Sequence, residues 1–162
     1  MANGKKNAKV RPEILNKRVF RNLLCAMLLL ALGAGISYLS MGLLSALVDI
    51  ESHEQAWMAA YVISVFLTLM IIVVDAAMTT LVCGVFACMK GLVSRLMRLF
   101  FAVFRVFAMF SHGAALVMGV VMVMRFADAF IATVMIVLHL GLMLTGCFGV
   151  RCLEKKLWEE WT

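Results

Sequence analysis

The sequence predicts an all-α, polytopic integral membrane protein whose four transmembrane helices pair as two antiparallel hairpins in one bundle. Three observations predict it. Of the 162 residues, 65% are hydrophobic and only 15% are charged, whereas a soluble domain carries roughly a quarter charged residues. The apolar residues are gathered into long blocks. Lysine and arginine are concentrated at one set of block ends.

With a mean hydropathy of +1.04, a water-soluble fold of this size has no interior large enough to hide its apolar surface. The first block, 22–48, contains no Asp, Glu, Lys, Arg or His and exceeds the roughly 20 residues that a spanning helix needs. The second, 57–89, is interrupted only by Asp75. At about 1.5 Å per residue it is longer than a ~30 Å hydrocarbon core, so it tilts or leaves one end outside. The third, 99–124, carries Arg105 and His112, and the fourth, 129–150, carries His139, with the short turn Arg125-Phe126-Ala127-Asp128 between them. Residues 1–21 then form a basic tail and residues 151–162 an amphipathic one. In the latter, Trp158 and Trp161 beside Lys155 and Lys156 make an interfacial anchor.

Orientation follows from the excess of Lys and Arg in short cytoplasmic segments. Lys5, Lys6, Lys9, Arg11, Lys17, Arg18 and Arg21 precede the first block; Lys90, Arg95 and Arg98 separate the second from the third; Arg151, Lys155 and Lys156 follow the fourth. The other two connections carry Asp49, Glu51, Glu54 and Asp128 against Arg125. Both termini are therefore expected in the cytoplasm, in a plasma or bacterial inner membrane. The net charge of +6 reads as this topology signal and as contact with the anionic face of a lipid bilayer, with no nucleic acid partner. The first apolar run is too long for the h-region of a cleaved signal. Ala2 stands where N-myristoylation needs glycine, and the end of the chain is no prenylation box.

Ionisable groups at membrane depth are costly and usually face the bundle interior or a wet cavity. Asp75 is the first candidate for ion or proton coupling, together with Arg105, His112 and His139. On helical spacing Asp75 shares a face with Tyr61, Ser64, Thr68 and Thr79, either a pore-lining stripe or a set of interhelical ties. The opposite face, with Phe66, Met70, Val73 and Ala77, is expected to meet lipid. His112 and His139 lie at similar distances from the turn at 125–128, so the two imidazoles should be level, as a bis-histidine haem b would require.

All five cysteines, Cys25, Cys83, Cys88, Cys147 and Cys152, sit near the ends expected in the cytoplasm, where disulfides are rare. The spacing of Cys83 to Cys88 and of Cys147 to Cys152 places each pair about 140° apart on a helix, which does not chelate one ion. No metal site is expected. Gly33 with Ser37 and Ala31 with Gly35 in the first block, Ala115 with Gly119 in the third, and Thr145 with Gly149 in the fourth are small residues four apart. Such pairs let helix backbones approach closely.

No Gly-rich phosphate loop, zinc-protease motif or nucleophile elbow is present in the sequence. The leading expectation is a small non-enzymatic membrane subunit or scaffold that assembles with itself or with a larger membrane complex. The alternatives are a proton- or ion-coupled transporter or channel-like protein using Asp75, and a single-haem electron carrier using His112 and His139.

Overall fold

The structure is a computed structural model and describes residues 12–48, 53–86 and 92–159. The outer part of the basic tail, Asp49 and Glu51 of the first connection, Cys88, Lys90 and Trp161 fall outside the described residues.

Four α-helices follow one another: α1 Pro12–Val48, α2 His53–Gly84, α3 Leu92–Phe126 and α4 Ala129–Glu159. All four are long and apolar enough to cross a membrane, over Asn16–Leu43, Trp57–Gly84, Arg95–Arg125 and Ala129–Glu159. Pro12 opens α1, where its missing N–H is one of the donors left unpaired at any helix start. Between α3 and α4 the Ala127 amide still bonds the Val123 carbonyl, and the Asp128 carbonyl takes the Ala132 amide. Asp128 thus stands at the helix-capping position, with an acidic side chain at the positive end of the α4 dipole.

The helices run past the apolar blocks. Arg151, Glu154, Lys155 and Lys156, read from the sequence as tail, continue α4 without a break to Glu159. Charge ends an apolar run but does not end a helix, because the backbone ladder continues and long side chains reach toward water. In the other direction, α2 stops at Gly84, before the end of its apolar block.

α2 occupies the centre and packs against α1, α3 and α4, while α3 and α4 meet each other more sparingly. Its contacts with α1 overturn one expectation. On the face with Phe66, Met70, Val73 and Ala77, which the sequence assigns to lipid, Met70 and Val73 instead meet α1. Ser37 Oγ lies 2.9 Å from Met70 Sδ, Gly33 seats against Val73 and Val74, and Ala77 is buried. The absence of a side chain on Gly33 is what admits the two valines, so the small-residue signal outweighs the apolar character of that face. At the end of the pair, Asn22 Nδ2 donates to the Gly84 carbonyl at 2.9 Å. This bond supplies one of the acceptor needs of the α2 terminus.

The core of α2, α3 and α4 has two apolar layers. Tyr61, Val123 and Ala132 form one, with Trp57 and Met135 against it. Val82, Cys83, Phe101 and Leu157 form the other, with Met78, Phe104 and Leu153. The polar residues lie between these layers.

Candidate functional site

The polar face of α2 divides into two sites. Tyr61, Ser64 and Thr68 are all buried, and each is used. Tyr61 Oη donates to the Met135 carbonyl of α4 at 2.7 Å. Ser64 Oγ donates back to the Tyr61 carbonyl. Thr68 Oγ1 lies 3.1 Å from the Ser64 carbonyl and 2.7 Å from His139 Nε2. A hydroxyl has one proton and a carbonyl can only accept, so with Thr68 bonded to Ser64 the imidazole donates through Nε2. Nδ1 is then a bare acceptor, unpartnered among the described residues. The Tyr61 ring meets the same imidazole edge-on, with centroids 5.8 Å apart.

α3 reaches this point only because residue 119 is glycine. A Cβ there would stand 2.6 Å from Ser64 Oγ and 3.0 Å from His139 Nδ1, shorter than packed atoms tolerate. Gly119 therefore joins three helices at one level. Ser64 and Thr68 are fully buried and His139 is only 2% exposed, so their polar groups are packed between helices, and the cavity of about 320 Å³ beside Tyr61 and His139 is otherwise walled by Val62, Val65, Leu138 and Leu142. Replacing Thr68 with the isosteric valine removes the hydrogen bond of His139 Nε2. A loss of about 1–3 kcal/mol is expected, read as a lower denaturant midpoint in detergent. Thr133→Val deletes an exposed hydroxyl that bonds only its own helix, and should leave the midpoint nearly unchanged.

The second site lies on the other side of Ile72, against which the α4 backbone presses at Gly146; any Cβ at residue 146 would collide with the Ile72 side chain. Beyond it, a cavity of about 490 Å³ opens between α2, α3 and α4, lined in part by Asp75, Arg105, His112, Cys147, Phe148 and Arg151. Asp75 faces α3 and α4. Arg105 Nη1 pairs with Glu154 Oε2 at 2.7 Å, and its guanidinium lies 4.8 Å from the centre of the Phe101 ring. Asp75 Oδ1, Arg105 Nε and Nη2, and both nitrogens of His112 are buried without partners among the described residues. Thr79, fully buried on the same face of α2, likewise has an unpartnered hydroxyl.

His112 and His139 are not brought together. His139 turns its Nε2 to Thr68 and stands against Gly119, whereas His112 enters the cavity of Asp75, about two turns or ~10 Å from Gly119 along α3. The paired nitrogens that a bis-histidine haem needs do not face a common gap. Cys25, Cys83, Cys147 and Cys152 are free thiols, and no group of three metal-ligating side chains occurs among the described residues.

Of the small residues, Gly33, Ser37 and Gly119 are at helix contacts, Ala115 is buried, and Gly35 and Gly149 meet nothing within 4 Å. Sequence reasoning missed Asn22, Gly84, Gly146 and Glu154. Glu154 had a usable signal, since its spacing of three and seven residues from Arg151 and Cys147 places all three on one helix face. No protein-family model, no curated protein and no solved structure matches the chain.

Proposed function

We infer that this chain is a small, non-enzymatic membrane subunit whose four helices cross the bilayer as two antiparallel hairpins, with both termini cytoplasmic, and which assembles through α1 with a second copy or a larger membrane complex. The antiparallel arrangement is supported by contacts whose numbers rise along α1 and fall along α2, from Asn22 with Gly84 to Ser37 with Met70. A reporter fused after Thr162 is expected to be cytoplasmic and one inserted near Ser52 external. An external C-terminus would overturn the topology.

One observation carries the assembly. α1 spends a single face on α2 and leaves the remainder uncovered: Gly35 and Gly42, seven residues apart and so on one side of the helix, meet nothing within 4 Å. Leu28, Leu32 and Leu39 are more than half exposed. From residue 22 to 48 α1 carries no charged side chain, and such a stretch with open glycines is a surface on which another helix packs closely. Gly35→Ile fills open space, so it should leave the monomer folded and abolish the oligomer. The measurement is the mass of the purified protein in mild detergent. A single chain for the unaltered protein, or an unchanged oligomer for the variant, would sink the reading.

The transporter reading is favoured by the unpartnered carboxylate oxygen of Asp75 in its cavity. It requires Asp75→Asn to abolish a proton or ion flux in reconstituted vesicles. The packing of Ile72 against Gly146, the burial of His139 and the apolar residues beside it weigh against a continuous polar path.

A further inference from the structure

We propose that the cavity of Asp75 holds the phosphoethanolamine head of a membrane lipid, its phosphate on Arg105 and Arg151 and its ammonium on Asp75, with the acyl chains leaving sideways between α3 and α4. The proposal rests on the reading that the helices span a bilayer, and is independent of how the chain assembles.

The guanidinium of Arg105 is half used. Nη1 is bonded to Glu154 and the face rests on Phe101, while Nε and Nη2 are buried and bare. Those two nitrogens form one side of the guanidinium fork, the geometry that takes two oxygens of a phosphate or carboxylate. In the same cavity Asp75 presents a bare acceptor, and His112, 5% exposed, presents two unpartnered nitrogens. The carboxylate and the fork are not bonded to each other. One occupant must therefore bring acceptors to the arginine and a donor to the aspartate. A phosphate with an ammonium two carbons away does both. Arg151, on the cavity wall, adds a second cation for the phosphate. A volume of about 490 Å³ lies within the ~300–1,000 Å³ of small-molecule sites.

The mouth favours a lipid over water or a soluble ligand. Met109, Leu144 and Phe148 line the cavity with side chains that are 68%, 57% and 70% exposed, an apolar rim suited to acyl chains. The level is also right: Arg105 is two turns, ~10 Å, from Arg98, and Arg151 is one turn from Lys155. The cavity therefore sits just inside the basic boundary where headgroups lie.

The test is native mass spectrometry of the full chain, taken from carbonate-washed membranes in mild detergent, with phosphatidylethanolamine, phosphatidylcholine and phosphatidylglycerol of identical acyl chains in competition. One phosphatidylethanolamine per chain is expected, retained about tenfold over the other two, since phosphatidylcholine has no ammonium proton and phosphatidylglycerol no cation for Asp75. Asp75→Asn should erase that preference. Arg105→Lys, which keeps a cation beside Glu154 but removes the fork, should lower occupancy by all three. Equal retention of the three lipids, or an unchanged profile in both variants, overturns the proposal, as does soluble phosphoethanolamine competing at the lipid's own concentration. Release of the protein by carbonate would instead overturn the membrane reading itself.

Discussion

Valine at position 119 is expected to prevent the native packing of α2, α3 and α4. The Cβ alone would stand 2.6 Å from Ser64 Oγ and 3.0 Å from His139 Nδ1, and two further methyl groups follow it. Neither neighbour can retreat cheaply. Ser64 is fully buried and bonded to the Tyr61 carbonyl, and His139 is held by Thr68 on one side and the Tyr61 ring on another. Overpacking of a tight core costs about 1–3 kcal/mol. Here the displaced groups also lose hydrogen bonds worth about 1 kcal/mol each, so roughly 3 kcal/mol or more is expected. The readout is the denaturant midpoint in micelles and the share of protein eluting as a single species. Gly149→Val is the control, because position 149 meets nothing within 4 Å and an exposed substitution changes stability by about 0.5 kcal/mol or less. Equal behaviour of the two variants would show that α3 does not approach α2 and α4 at Gly119.

The second large effect is expected from Glu154→Leu. It strips Arg105 of its bonded anion at 2.7 Å and leaves a guanidinium on Phe101 with Nε and Nη2 already bare. Removing one member of a fully buried pair costs about 3–5 kcal/mol. The two side chains are 27% and 26% exposed, which reduces the expectation to about 2 kcal/mol. The exchanged double variant, Arg105→Glu with Glu154→Arg, should recover at least half of the loss in the denaturant midpoint. A double variant as unstable as the sum of the singles would mean that the pair makes no coupled contribution.

Much of this arrangement was legible in the sequence, for a reason that also marks its limit. Hydropathy and charge report what a side chain costs in lipid. That located the four helices and picked out Asp75, Arg105, His112 and His139, each of which the structure places in a cavity or a polar contact. Cost does not name the partner, which depends on how each helix is rotated. The Asp75 face of α2 was found by its spacing, but the opposite face was assigned to lipid because apolar residues suit lipid and a neighbouring helix equally. The seat of Gly33 on Val73 and Val74 and the contact of Ser37 with Met70 distinguish the two. Distances to one turn predict level histidines, but residue counts see neither the relative shift nor the rotation of two helices: His139 stands against Gly119 and bonds α2, whereas His112 enters the cavity seven residues away on α3. Glu154 was hidden among the charges that end the fourth apolar block. Gly84 and Gly146 have no side chain for hydropathy to register: Gly84 leaves room for Asn22 at its carbonyl, and Gly146 leaves room for Ile72.

The central place of α2 also has a temporal side. The chain is made from its N-terminus, and α1 can dress only the face of α2 with Met70 and Val74. The acceptor for Tyr61 and the imidazole beside Thr68 both belong to α4. Ser64 and Thr68 can bond carbonyls of α2 itself, but until the ribosome has delivered Met135 the Tyr61 hydroxyl lacks its acceptor, an unfavourable state for a group shut away from water. Completion of the last helix thus closes this side of the core, and a nascent chain halted after Phe126 would leave the Tyr61 hydroxyl and the face of Thr68 without the α4 groups that cover them.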